Sequence, residues 1–362
     1  MKITVDQSVL VSGLAHIQNA ISNRPTIPVL SNVLLAAENN ELVLTATDLD
    51  LSVTTTIECT VDSPGTTTLP AKKLAQIIRQ LPSAPVTIDT DENQLSSISC
   101  NQSFFKILGV SDLEFPVETG LEDARSFTLP NEQFRKMLEK ISYSVSTDET
   151  RLVLNGILLS IREGTLTAVA TDGRRLALME TVLDADEVLD GDTILPSKAV
   201  NEVQKLLTDK GDVKISFGES RATFETNNTI LRTKLIEGNY PNYRQVIPSG
   251  FTEMIEIPRE DLTKAITRVS LILSDTSASV KMAMEAERVI ISANSNADES
   301  TEPIAVNYMG SAISISFNPH FIQEPLKRLD CNNVTLKFND KISPIGLFGD
   351  EGFIYVIMPM RN

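Results

Sequence analysis

The sequence predicts an α+β fold in which one unit, two helices plus antiparallel sheets, is written three times within 362 residues. Three observations predict it. A helical apolar stripe returns at intervals of 124 and then 128 residues, and a second returns at 126 and then 122. Between the stripes lie paired runs of alternating apolar residues. Self-similarity at a fixed period marks a repeated architecture.

The first helix is read at 6–21, where Leu10, Leu14, Ile17 and Ile21 share one face behind Asp6, a candidate N-cap. Its copies lie at 130–142, with Phe134, Leu138 and Ile141, and at 258–269, with Leu262, Ile266 and Val269. The second helix is read at 69–81, 195–207 and 317–329, each with an early proline suited to a first helical turn. Pro325 should kink or shorten the third copy. Segments 32–48, 156–172 and 280–295 each read as two alternating strands around a polar turn, and 86–100, 213–227 and 334–348 read as further hairpins. The expected domains are 1–126, 127–253 and 254–362, separated by polar and turn-forming residues.

Composition excludes several function classes. No apolar run approaches the length of a membrane span, and MKITVDQ lacks the apolar core of a signal peptide, so a cytoplasmic location is expected. Cys59, Cys100 and Cys331 are too few and too scattered for a disulfide framework or a metal knuckle, and no metal or cofactor is expected. His16 and His320 are the only histidines. Asp172 beside Arg174 and Arg175 is a charged constellation, but no nucleophile, phosphate loop or dinucleotide fingerprint accompanies it, so no catalytic residues are expected.

The net charge of -16 speaks against a nucleic-acid binder until its distribution is examined. Residues 69–82 contain Lys72, Lys73 and Arg79 and no acid, and the six helical segments together carry +5, which leaves -21 elsewhere. Six such helices along an arc, completed by a second chain, would make twelve. At roughly 10 Å between axes they enclose a hole of about 28 Å. A B-form duplex with a radius of about 10 Å passes through it.

Several segments then resemble the bacterial DNA polymerase III beta sliding clamp family in order and over the whole length: MKITVDQ (1–7), NRPTIPVLSNVLL (23–35), RLVLNGILL (151–159), ATDGRRLAL (170–178), YPNYRQVIP (240–248) and VIMPMRN (356–362). The resemblance implies a DNA-clamp fold, half of a ring per chain, and a head-to-tail homodimer around duplex DNA. It also implies a processivity factor without catalysis. The ring would tether the clamp loader, the replicative polymerase and repair or translesion polymerases.

The resemblance further implies a pocket for short client peptides. Its walls would be Leu154, Thr171, Gly173, Arg174, Arg175 and Leu176, with Pro241 and Val246. Asn318, Phe321, Ile342 and Pro344 would add to them, with the terminal run Val356, Ile357, Met358, Pro359, Met360 and Arg361. Methionines make such a slot tolerant of varied ligands. Compared with many relatives, Arg174 stands in place of a histidine, Gln245 in place of an arginine and Pro344 in place of a small polar residue. DNA contact is implied for Arg24, Lys72, Lys73 and Lys198, and the dimer joint for Phe105 and Ile107 facing Ile272 and Leu273. A peptide hub that acts without DNA is the alternative reading of the same pocket.

Overall fold

Six α-helices form where the stripes recur in the computed structural model, which describes the chain apart from residues 22–26, 117–119, 122–123, 184–189, 274–278, 296–297 and 361–362. The first third of the chain runs β1 (Lys2–Asp6), α1 (Gln7–Ile17), β2 (Asn32–Glu38), β3 (Glu41–Thr47), β4 (Leu51–Glu58), β5 (Thr60–Ser63), β6 (Gly65–Pro70), α2 (Ala71–Gln80), β7 (Pro85–Thr90), β8 (Leu95–Cys100) and β9 (Ser103–Leu108). The middle third follows as β10 (Arg125–Pro130), α3 (Asn131–Ile141), β11 (Gly156–Arg162), β12 (Thr165–Thr171), β13 (Arg175–Val182), β14 (Gly191–Pro196), α4 (Ser197–Leu206), β15 (Asp212–Phe217), β16 (Arg221–Thr226) and β17 (Thr229–Lys234). The last comprises β18 (Glu253–Pro258), α5 (Arg259–Val269), β19 (Val280–Glu285), β20 (Arg288–Asn294), β21 (Glu299–Ala305), β22 (Ile313–Phe317), α6 (Pro319–Leu326), β23 (Asn333–Phe338), β24 (Ile345–Phe348) and β25 (Phe353–Ile357).

Each half of a repeat is therefore a strand, a helix and three strands, where the sequence reading found only two strands after each helix. The third strands (β4, β9, β13, β17, β21 and β25), the strand before each helix (β1, β6, β10, β14, β18 and β22) and β5 are additional to that expectation. Asp6 also differs from expectation, since its side chain makes no capping bond. Gln7 Nε2 instead donates to the Ile78 carbonyl at 2.9 Å and ties the start of α1 to α2. Pro319 occupies the first helical turn of α6, whereas Pro70 sits one step earlier, at the N-cap of α2.

Chain contacts divide the molecule into two compact units, Met1–Phe134 with Asn201–Leu235, and Arg135–Val200 with Ile236–Asn362. The first unit holds a five-stranded sheet, β5-β1-β7-β8-β9, and an eight-stranded sheet, β10-β15-β16-β17-β4-β3-β2-β6. In the larger sheet β17 pairs antiparallel with β4 from Thr229↔Thr55 to Thr233↔Leu51, which fuses strands of the first and middle repeats. Helix α1 buries Leu10, Gly13, Leu14 and Ile17 against β3 and β4. A Cβ on Gly13 would lie only 3.0 Å from Leu44 Cδ1 and 3.1 Å from Ile57 Cγ2, so a larger residue would have to push those side chains aside by a few tenths of an ångström.

The second unit holds the eight-stranded sheet β14-β11-β12-β13-β25-β24-β23-β18 and the four-stranded sheet β21-β20-β19-β22. Here β13 pairs with β25 from Met179↔Phe353 to Arg175↔Ile357, which fuses the middle and third repeats in the same manner. Lys140 of α3 is nearly buried and forms ion pairs with Asp350, in the β24–β25 turn, and with Asp330 at 3.1 Å. Helix α6 ends one residue after Pro325. Proline has no N–H to offer the carbonyl four residues back, that of Phe321, and the Tyr355 hydroxyl donates to it instead at 2.7 Å.

Candidate functional site

The β12–β13 turn of the second unit begins the site. Thr171 Oγ1 accepts from Gly173 N at 3.1 Å and donates to the Arg175 carbonyl at 2.6 Å. Asp172 Oδ1 accepts the backbone N–H groups of Arg174 and Arg175 at 2.9 and 3.0 Å. Threonine and aspartate here close a tight turn by bonding their own backbone. Gly173 has φ +86°, and a Cβ there would approach Arg151 Nη1 to 3.2 Å. That guanidinium donates to the Asp172 carbonyl at 3.1 Å.

The β3–β4 turn of the first unit repeats three of these four bonds, the N–H groups of Leu49, Asp50 and Leu51 donating to Thr47 and Asp48, with Leu49 in the glycine position at φ +80°. Gly173 is therefore a conformational choice that a larger residue can occupy under strain. Gly173→Ala should cost about 1 kcal/mol, the penalty of left-handed backbone for a residue with a Cβ. Urea unfolding would measure it.

The two arginines of this turn have different surroundings. Arg174 is exposed, and its carbonyl accepts the Met358 N–H at 3.0 Å. Arg175 is turned inward: Nε reaches Asp172 Oδ2 at 3.2 Å and Nη2 donates to the Tyr143 carbonyl at 2.6 Å. Its guanidinium lies 4.7 Å from the centroid of Phe321 and 5.7 Å from that of Tyr143. Arg175 is thus a strut between the turn and α6, and Arg174 is the charge at the edge. Asn318 caps α6 by accepting from His320 N at 3.0 Å, which fixes the start of the helix that carries Phe321.

Beneath the turn, Leu176 and Val356 pair across β13 and β25 and are buried with Leu158, Val169, Leu178, Ile194 and Tyr243. Val153, Ile236, Tyr240, Ile247 and Ile354 flank this cluster and remain partly exposed. The chain then leaves the sheet with Met358 and Met360, each 39% exposed, and Met360 N donates to the Ser316 carbonyl at 2.7 Å. Backbone bonds at both residues, Met358 to Arg174 and Met360 to Ser316, fix the path of the terminal segment.

Leu154 is buried, with its N–H bonded to the Arg151 carbonyl and its own carbonyl to Ser146 N. Val246 is exposed and Pro241 lies on the same exposed loop. Ile342 is exposed and Pro344 half-buried in a loop that Asp340 shapes by accepting the N–H groups of Ile342 and Ser343 at 2.8 and 2.7 Å. Those bonds hold the Asp340 carboxyl below its ordinary range. Pro359 is half-buried, Ile357 is fully buried on the opposite face of β25, and Arg361 lies outside the described residues.

Tyr240 and Tyr243 were not singled out by sequence, although both lie in the YPNYRQVIP motif. The Tyr240 hydroxyl donates to the Val169 carbonyl at 3.4 Å, and burial pushes its phenol well up. Paired aromatics beside a proline were the available signal.

The other expected positions lie elsewhere. Lys72 and Lys73 are exposed in the first turn of α2, Lys198 is exposed near the start of α4, and Arg24 lies outside the described residues. Phe105 is half-exposed on β9, while Ile107, two residues on, is only 4% exposed. Ile107 is thus largely covered within its own chain. The exposed apolar residues of that strand are Phe104, Phe105 and Leu108. Ile272 and Leu273 are partly exposed beside Leu271, which is 80% exposed after α5.

A strand, helix and three strands written six times, with repeats fused by pairing of their third strands, define the DNA-clamp class of α+β fold. The chain belongs to the DNA polymerase III beta subunit family: residues 1–119 match its N-terminal domain, 128–242 its central domain and 244–361 its C-terminal domain. A beta sliding clamp of Chlamydia muridarum is 33% identical over 362 residues, covering 100% of this chain and 99% of its own. The DNA polymerase sliding clamp of Bacillus subtilis superimposes with a TM-score of 0.97 at 28% identity, over 100% of this chain and 99% of its own. A Pseudomonas aeruginosa sliding clamp bound to griselimycin gives 0.96 at 29% identity, with full coverage of both chains.

Proposed function

We propose that the chain is a replication sliding clamp: two copies joined head to tail close a ring around duplex DNA and tether client proteins by short peptides. The observation that carries this reading is the pairing of the six third strands. Four pair across repeats, β17 with β4 and β25 with β13, which leaves β9 and β21 at sheet edges. An edge strand is a template for another chain. β9 of one copy and β21 of another are the matching halves of a third joint, and a twofold pair forms that joint twice and closes.

The internal joints also fix the register. Thr229↔Thr55 and Arg232↔Ser52 in the first unit correspond to Phe353↔Met179 and Val356↔Leu176 in the second. Transferred through the matching hairpins, they place Phe105 opposite Ser300 and Lys106 opposite Glu299 of the partner copy. Ile272 and Leu273 follow α5 of the same repeat as β21, the placement a joint residue needs. The reading divides the chain into domains 1–126, 127–253 and 254–362, supported by family matches at 1–119, 128–242 and 244–361.

In this role Arg24, Lys72, Lys73 and Lys198 hold phosphates without reading sequence, and the protein performs no catalysis. Clients, among them the clamp loader, the replicative polymerase and repair polymerases, insert an apolar residue over Leu176, Val356, Met358 and Met360. Loaded on a nicked circle, the ring should fall off once the circle is cut, and retention on linear DNA with free ends would count against it. Removal of Met358 to Asn362 should abolish client-peptide binding in a fluorescence-polarisation titration and leave the dimer intact.

A further inference from the structure

The first unit has a groove that this role leaves unused. It holds about 430 Å³ between α1, the end of β4, the residues after α4 and the β16–β17 turn. Val9, Ile57 and Leu206 are among its apolar lining residues, and Ser12, Thr56 and Asn228 among its hydrogen-bonding ones. Among the described residues its lining holds no carboxylate, lysine or arginine, and the adjoining cleft, which shares Thr56, Ile57, Asn227 and Asn228 with it, adds Glu41, Glu58 and Glu225.

The repeat shows how it arose. Thr56 N donates to the Asn228 carbonyl at 2.9 Å, as Glu180 N does to the Gly352 carbonyl at 3.0 Å at the same corner of the second unit. There the corner is filled by Lys140 with Asp330 and Asp350. The helix position of Lys140 is His16 in the first unit, and the turn that bears Asp350 corresponds to Asn227–Asn228. A charged cluster has been replaced by neutral groups around open space. His16 faces Thr229 Oγ1 across 3.5 Å, and burial pulls its imidazole below the ordinary value, so it is uncharged at neutral pH.

We infer that this groove binds an uncharged, nucleoside-sized molecule, an apolar ring with hydrogen-bonding edges. An anion would lose hydration with no cation among the described lining residues to replace it, and would meet Glu41, Glu58 and Glu225 of the adjoining cleft. A purely apolar ligand would leave the lining hydroxyls and amides unpaired. The volume lies in the range of small-molecule sites.

The test uses the full chain with labelled methyl groups and thymidine as probe. Thymidine should shift the Val9, Ile57 and Leu206 methyl resonances saturably, and thymidine 5′-monophosphate should bind at least tenfold more weakly. Ser12→Leu, which fills the groove from an exposed helix position, should abolish the shifts, and the isosteric Thr56→Val should weaken them if Ser12→Leu disturbs folding. No saturable shift with thymidine, equal binding of the monophosphate, or shifts unchanged in a folded variant would overturn the inference. No DNA or client takes part, so failure here leaves the clamp reading standing.

Discussion

Lys106→Glu will be monomeric in sedimentation, and Lys106→Glu combined with Glu299→Lys will dimerise again. Lys106 is exposed on β9 and Glu299 is exposed on β21. In the register inherited from the internal joints the two stand directly opposite, with Cβ atoms about 5 Å apart. A facing pair of opposite charge contributes up to about 1 kcal/mol, and a like pair opposes pairing by a similar amount. The substitution therefore shifts each joint by about 2 kcal/mol. Two joints per ring give about 4 kcal/mol, roughly a thousandfold in the dimer dissociation constant. The charge swap is the sharper half of the experiment. A folded swap variant that stays monomeric would show that Lys106 and Glu299 do not face each other, and the register would have to move by a residue or more.

How much of this was legible in the sequence depended on how far apart the interacting residues lie. The six helices were visible because each carries its own stripe, Leu10, Leu14 and Ile17 in α1 for example. The third strands were not, because LSVTTTIE (51–58) is rich in threonine and its alternation is weak until Thr229, 174 residues away, pairs with Thr55. The turn at 171–175 was legible as a turn, since Thr, Asp and Gly fix it locally. The inward orientation of Arg175 was not, because Phe321 on α6 decides it. The unequal exposure of Phe105 and Ile107 was hidden for a similar reason. Strand alternation says that Phe105 and Ile107 share a face, and only the sheet's position decides which of them lies at its edge.

Lys140→Met will destabilise the second unit by about 3 kcal/mol at neutral pH, the cost of stranding a nearly buried carboxylate. Burial alone would raise the Asp350 carboxyl. The Lys140 ammonium, with the N–H groups of Asp330 and Cys331, outweighs that and holds it below its ordinary range. A carboxyl depressed in the folded state contributes stability that is present above its unfolded value, near 4, and is lost as pH falls through the lower folded value. The wild type should therefore weaken on acidification from about pH 4 downward. In the variant the burial contribution remains without its counter-charge, so Asp350 takes up a proton more readily when folded and the deficit against wild type should shrink as pH falls. Urea unfolding at pH 7 and pH 3.5 separates the two behaviours. A deficit that stays constant with pH would mean that Lys140 acts by packing its methylenes rather than by its charge, and Lys140→Met with Asp350→Asn should then recover nothing. The result bears on function because Asp350 anchors the turn that leads into β25. Just past the far end of that strand, Met358 N donates to the Arg174 carbonyl. An ion pair at one end of β25 thus holds in register the strand that presents the apolar residues at the other.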